Sequence, residues 1–349
     1  MNEQSIEITK RSVLYVTKLC NANCKFCYFR FEGVQKHSPF NELKNTLINY
    51  KTKYGIKFVD ITGGEPTIHP QIKDIIKVSC IIGIKPTVIT NAQRPDIIQG
   101  MINNGLDDLL ISVHGFENNH DKVLGVKGAF DKVIEIFHLL NSNSFDFRIN
   151  TVLTKYSCKD SELLANLFIK YKPRIVNLIS FNPYEDSLWR DKANLDFQVD
   201  YSVQSDAAKK IINMLDETNI RVNVRYVPFC FMKGYEKYVC NFLQLPYDQY
   251  EWDYASSNNL TDSEIEKLTQ EAIKFKRFGN TDKEKFYQHM MHNIIKDNKK
   301  VQECIHCSLN KICDLIYTQY INEFGNYGYN RFEGKKLEDP MHFKKQVKI

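Results

Sequence analysis

The chain has 349 residues, ten of them cysteine, and its 47 basic and 42 acidic side chains leave a formal net charge of +5. Apolar residues make up 43% and charged residues 26%, a globular balance that excludes wholesale disorder. No apolar run approaches the roughly eighteen residues that a membrane-spanning helix needs. The opening MNEQSIEITKRS lacks the apolar centre of a signal peptide, so the expected compartment is the cytoplasm. The mild, well-mixed charge carries no nucleic-acid signal.

In chain order, short β-branched apolar runs predict strands over 13–17, 58–62, 87–90, 108–113, 145–153, 175–181 and 220–227. Between them, helical periodicity predicts helices over 42–53, 70–82, 95–104, 129–141, 161–171 and 203–218. Turn signals such as Asn103-Asn104-Gly105 and Lys172-Pro173 separate the units. Strand and helix alternating at this spacing means βαβ units and a parallel sheet. The expected fold is α/β, a partial (β/α)6-type parallel barrel over 11–227, with ligands at the carboxyl ends of the strands. After 227 the character changes. Tyr235, Tyr238, Phe242, Tyr247, Tyr250, Trp252 and Tyr254 crowd one stretch, and a charged, helical-looking segment follows over 261–298. A smaller C-terminal module is expected over 228–349.

Cysteines clustered in a cytoplasmic chain point to metal or redox chemistry rather than to disulfides. Directly after the first strand comes Cys20-Asn-Ala-Asn-Cys24-Lys-Phe-Cys27. Three thiolates are too few for a closed structural zinc site, which takes four ligands. They suit a four-iron cluster with one iron left open. The competing reading is a zinc knuckle that borrows a fourth ligand such as His37. The later strands also end in polar residues: Thr62-Gly63-Gly64-Glu65-Pro66, Thr90-Asn91, Ser112-Val-His114-Gly115, Asn150 on the fifth strand, and Phe181-Asn182-Pro183.

Over about residues 11–227 this sequence resembles the radical S-adenosylmethionine (radical SAM) superfamily. The resemblance implies that Cys20, Cys24 and Cys27 hold a [4Fe-4S] cluster, whose open iron is chelated by the amino and carboxylate groups of S-adenosylmethionine. Phe26 matches the aromatic beside the adenine, and Gly63, Gly64 and Glu65 match the superfamily's GGE motif. Thr90, Asn91, Ser112, His114, Asn150 and Asn182 would complete the cofactor's surroundings. One electron, supplied by a donor such as flavodoxin or ferredoxin, would cleave the cofactor to methionine and a 5′-deoxyadenosyl radical. That radical would abstract a hydrogen atom from the substrate.

A second set of cysteines lies beyond the barrel. Cys304, Cys307 and Cys313 read Cx2Cx5C, and a fourth ligand would come from Cys230 or Cys240, with Cys230 favoured because it closely follows the last strand. The order resembles the SPASM and Twitch extensions of radical SAM enzymes. SPASM patterns continue to another cysteine, where this chain has Tyr317, so one auxiliary [4Fe-4S] cluster is the economical count. A structural zinc site is the alternative. Cys80 and Cys158 stand alone and read as small buried hydrophobes. The implied reaction is oxidative modification of a ribosomal peptide or protein. The alternatives are oxidation or epimerisation of a sugar or aminocyclitol, and, in another class, a non-catalytic metal-binding scaffold. Residues 1–12 leave no room ahead of the first strand for a fused leader-peptide-binding domain, which weakens the peptide reading without removing it. Arg148, Tyr184, Glu185, Asp186, Arg225 and Tyr226, near strand ends, are candidates for substrate contact.

Overall fold

A computed structural model describes residues 8–27, 34, 36–181, 196–296, 298, 301–314, 316, 318–325 and 328–344. The chain divides into two compact units, one over residues 13–223 and the other from the described parts of 1–12 and 224–349.

Among the described residues, seven strands form one sheet: β1 (Arg11–Thr17), β2 (Phe58–Gly63), β3 (Lys85–Thr90), β4 (Asp108–Ser112), β5 (Phe147–Leu153), β6 (Ile175–Ser180) and β7 (Arg221–Arg225). Their spatial order is their sequence order, β1 to β7, and the pairs from β2 through β6 run parallel. Between successive strands lie α1 (Phe40–Thr52), α2 (Ile72–Ile81), α3 (Pro95–Asn103), α4 (Asn118–Leu124), α5 (Ala129–Ser142), α6 (Lys155–Lys159), α7 (Ser161–Tyr171) and α8 (Tyr201–Leu215). The parallel α/β barrel expected from the sequence is present. It is open, with β1 and β7 at the two ends of the order, and β7 extends the sixfold repeat by one strand.

Alternation along the strands sorts the two faces of the sheet. Leu109, Ile111, Ile149, Val176 and Leu178 are fully buried, as are Ile136, Phe137, Leu140, Leu164 and Phe168 on the helices. The intervening strand positions are more polar. Arg148 on β5 donates to Asp108 on β4 at 2.6 Å and reaches Asp60 on β2 at 4.0 Å, all three buried. Arg148 was a substrate-contact candidate by sequence, but its charge is neutralised inside the sheet near the amino-terminal ends of β4 and β5. A charge this deeply buried is tolerated only when paired.

Two helices lack a sequence signal, α4 and α6, because seven and five residues are too short to show a period. The single helical segment expected over 261–298 is two helices, α10 (Asp262–Lys274) and α11 (Asp282–Ile294). Each begins with a capping box, Thr261 with Glu264 and Thr281 with Glu284. Lys276 at φ +50° and Gly279 at φ +141° break the run between them.

The second unit also carries α9 (Tyr254–Ser257) and α12 (Thr318–Phe324). Of its aromatic stretch Tyr247 is core, while Tyr235, Tyr238, Phe242, Tyr250, Trp252 and Tyr254 are half-buried. Tyr247 and Tyr287 are buried, and the Tyr287 hydroxyl donates to the Asp253 carboxylate. Asp314 accepts the backbone N–H of Phe242 at 2.7 Å and of Leu243 at 3.2 Å, while Gln244 donates to the Ile312 carbonyl at 2.8 Å. These bonds clamp the segment after β7 to the segment that carries the last three cysteines.

Candidate active site

The Cys20–Cys27 loop is held by backbone bonds on two sides. Asn23 N–H donates to the Leu124 carbonyl at the end of α4 at 2.8 Å, and Lys25 N–H to the Val123 carbonyl at 3.4 Å. On the other side Gly64 N–H donates to the Thr17 carbonyl at 2.7 Å and Glu65 N–H to the Leu19 carbonyl at 2.8 Å. A Cβ on Gly63 would sit 2.1 Å from the Thr17 oxygen, and one on Gly64 would sit 2.0 Å from the Leu19 oxygen. The two glycines therefore let the turn after β2 press against the backbone that leads into Cys20.

Glu65 is buried and its carboxylate ties β2 to β3. One oxygen accepts from Thr67 N–H at 3.0 Å, the Thr67 hydroxyl at 2.6 Å and the Thr90 hydroxyl at 2.7 Å. Among the described residues the other accepts only from Asn91 N–H, at 2.8 Å, which leaves it room for a further donor. Burial pushes the Glu65 pKa above the ordinary carboxylate value, against the pull of these donors. The Asn91 side-chain amide donates to Asn21 at 2.8 Å and lies 3.8 Å from the Cys20 sulfur. Its carbonyl oxygen is buried with no partner among the described residues.

Burial is also the main cause that lifts the Cys20 thiol to about 11, with Glu65 and Cys27 adding to it and the Ala22 N–H opposing. Cys24 is lifted further by burial, then by Cys27 and Cys20. The three thiols thus share one locale, where their joint ionisation is unfavourable until a cation takes the charge. Among the described residues, no three His, Cys, Asp or Glu side chains are already set around one point as metal ligands. His37 pairs with Thr17, and its ring meets that of His69 edge-on at 5.0 Å.

Beyond the loop, Phe26 packs edge-on against His114 at 4.8 Å and against Phe181 at 6.1 Å. His114 Nδ1 accepts from Val152 N–H at 3.1 Å, and His114 N–H donates to His120 Nδ1 at 3.1 Å. Burial lowers the pKa of His114 well below the usual value and that of His120 to about 4, so both rings are neutral, with the proton on Nε2. Ser112 lies opposite Asn150 in the β4–β5 register, and Asn150 lies opposite Asn177 on β6. Asn182 falls outside the described residues, as do Tyr184, Glu185 and Asp186.

The structure thus gathers Cys20, Gly63, Gly64, Glu65, Thr90 and Asn91 in one place, and sets Phe26 on His114, with Ser112 and Asn150 on the adjoining strands. It adds Asn21, Thr67, His120 and Asn177, which the sequence reading missed. Thr67 had a signal, because a short polar side chain two residues after a carboxylate commonly caps it. Asn177 had none, since one amide inside an apolar strand has no period.

In the second unit, Cys230, Cys304, Cys307 and Cys313 line one cavity of about 30 Å³ together with Phe229 and Leu309. Phe332 N–H donates to the Cys307 sulfur at 3.4 Å. Burial pushes the Cys230 thiol up to about 12, with Cys304 and Cys307 adding to it and the Asn330 backbone N–H opposing. Cys240 is not among the residues that line this cavity. Its sulfur lies 3.8 Å from an Asp248 oxygen, in the cluster where Arg225 pairs with Glu251 at 2.6 Å and Asp248 at 3.1 Å. Of the two isolated cysteines, Cys158 is buried as expected. Cys80 is exposed, with its thiol donating to the Gly105 carbonyl at 3.2 Å.

Residues 14–163 match the model of the radical SAM superfamily. A probable GTP 3′,8-cyclase of Sulfurisphaera tokodaii is 28% identical over 171 residues, 48% of this chain and 55% of that protein. An S-adenosylmethionine-dependent nucleotide dehydratase of Flammeovirga pacifica is 26% identical over 149 residues, 39% of this chain and 51% of that protein. The chain thus spans about half the length of these relatives. Streptococcus suis SuiB, solved with its precursor peptide SuiA, shares the fold with a TM-score of 0.53 at 19% identity, over 65% of this chain and 51% of that one. No helix among the described residues is long and apolar enough to cross a membrane. Residues 14–163 accordingly belong to the radical SAM superfamily, whose enzymes work with a [4Fe-4S] cluster and S-adenosylmethionine.

Proposed function

We propose that this protein cleaves S-adenosylmethionine reductively and uses the resulting 5′-deoxyadenosyl radical for oxidative modification of a ribosomal peptide or protein. The observation that carries the first half is the join between the Cys20–Cys27 loop and the Gly63-Gly64-Glu65 turn. It sets three mutually destabilising thiols beside an acceptor, Asn91 Oδ1, that no described residue satisfies. In this reading Cys20, Cys24 and Cys27 hold the cluster. Asn91 Oδ1 and the less occupied oxygen of Glu65 accept from the cofactor's ammonium group. Phe26 and His114 wall the adenine, and Ser112, Asn150 and Asn182 face the nucleoside. An external donor such as flavodoxin or ferredoxin supplies the electron.

The oxidative half rests on Cys230, Cys304, Cys307 and Cys313, which we assign as ligands of one auxiliary [4Fe-4S] cluster. Their shared cavity supports Cys230 as the fourth ligand, and the charge pairs around Cys240 argue against it there. Such a cluster could take the second electron from a substrate radical. The peptide target is supported by the combination of this core with a cysteine-rich module, and by SuiB, which shares the fold and was solved with its precursor peptide. The names of the sequence relatives, a GTP cyclase and a nucleotide dehydratase, favour a small-molecule substrate as the second reading.

Replacing Cys20, Cys24 and Cys27 together by alanine is expected to abolish 5′-deoxyadenosine formation under dithionite. Undiminished formation would remove the loop from the chemistry. Hydrogen-atom transfer into 5′-deoxyadenosine from deuterated candidate peptides, set against nucleotides and sugars, separates the two substrate readings.

A further inference from the structure

The inner polar row of the sheet does not end at Asn150. The Asn177 amide nitrogen on β6 donates to Asn150 Oδ1 at 2.8 Å, and the Asn223 amide nitrogen on β7 donates to Asn177 Oδ1 at 3.2 Å. Asn177 and Asn223 are buried, whereas Asn150 is half-buried. The three amides therefore point the same way across three neighbouring strands. The side-chain carbonyls of Asn150 and Asn177 are each consumed by the next residue's N–H. At the end of the row Asn150 keeps its amide nitrogen, which has no partner among the described residues.

Asn150 also borders the aromatic patch of the site. Its backbone carbonyl accepts from Val113 N–H at 2.9 Å, and two residues on, Val152 N–H donates to His114, the ring that packs on Phe26. An isolated asparagine could offer either end of its amide to a ligand. Here the row decides which end is presented, because turning Asn150 over would set N–H against N–H at Asn177. Aligned bonds of this kind also polarise one another.

We infer that Asn177 and Asn223 are positioning residues that lock Asn150 as a hydrogen-bond donor toward an acceptor atom of the S-adenosylmethionine nucleoside, a ribose oxygen or an adenine ring nitrogen. The inference rests on the proposed reading of Asn150 as a contact to that cofactor. A carboxylate at 177 has no N–H to give. Asn150 must then turn its own N–H toward 177 and present its oxygen to the ligand. A carboxylate at 223 reverses Asn177 first and Asn150 through it, two residues away from the ligand.

The test uses the reconstituted, iron-loaded full chain and measures S-adenosylmethionine affinity by anaerobic calorimetry in a double-mutant cycle. Asn177→Asp and Asn150→Ala are each expected to raise Kd about tenfold, the worth of one hydrogen bond to a buried ligand. The double variant should be no weaker than Asn150→Ala alone, because Asn177 acts only through Asn150. In reductive cleavage, KM for S-adenosylmethionine should rise by the same factor with kcat within about twofold of wild type. Wild-type affinity in Asn177→Asp, or a loss that adds to that of Asn150→Ala, overturns the relay. Wild-type affinity in Asn150→Ala removes Asn150 from the cofactor site, and the relay falls with it. Where Asn177→Asp does not fold, Asn223→Asp carries the same two outcomes.

Discussion

Glu65 shows how one side chain can serve both the fold and the proposed ligand. Its carboxylate holds four protein donors, from the turn after β2, the end of β3 and the turn after β3, yet one oxygen has room for another. Glu65→Ala strands those donors in a buried place and should cost about 3 kcal/mol or more of stability, read by thermal or urea unfolding. Glu65→Gln keeps an acceptor for Thr67 and Thr90 but loses the charge. It should fold, keep its full iron content and bind S-adenosylmethionine about tenfold more weakly by calorimetry. Unchanged affinity would leave Glu65 a purely structural residue. Gly64 is a steric case. A methyl group there meets the Leu19 oxygen, so Gly64→Ala should prevent the cluster loop from seating. The expected result is soluble protein that loses roughly four irons on reconstitution, or insoluble protein; a soluble variant with full iron would refute it.

At the scale of elements, the caps decide where the second unit's helices begin. Thr281 and Glu284 close the first turn of α11, whose Tyr287 and Gln288 reach the Asp253 carboxylate and the Leu243 carbonyl. Thr281→Ala should cost about 1 kcal/mol of stability, measured by urea unfolding, and leave S-adenosylmethionine cleavage unchanged. A loss of activity at full iron content would mean that α11 does more than brace its unit. The strands were readable as elements because each is a short run rich in β-branched and apolar residues, even where Arg148, Asn150, Asn177 and Asn223 interrupt β5, β6 and β7. The break between α10 and α11 is carried by backbone signs at Lys276 and Gly279, and a charged amphipathic pattern passes straight over it.

For the whole molecule the decisive number is iron. Two four-iron clusters mean roughly eight irons per chain after reconstitution. Cys304→Ala with Cys307→Ala should leave about four, with 5′-deoxyadenosine still formed and oxidised product absent. One equivalent of zinc with only four irons in the wild type would make the second site a structural brace. A folded double variant that lacks the second cluster and still forms product at the wild-type rate would refute an oxidative role for it.

The sequence by itself determined the class of fold and the first cysteine loop. A βαβ rhythm and a Cx3Cx2C spacing are local patterns, and local patterns survive in one dimension. It also placed the Gly63-Gly64-Glu65 turn and narrowed the auxiliary ligands to five cysteines. Only the tertiary structure decided which cysteines share a cavity, because Cys230 meets Cys304, Cys307 and Cys313 across more than seventy residues of chain. It also turned Arg148 from a mouth residue into a buried ion pair and aligned Asn150, Asn177 and Asn223 into one row. Those facts depend on strand register, and register follows from how the apolar faces of sheet and helices pack together, which no single segment specifies.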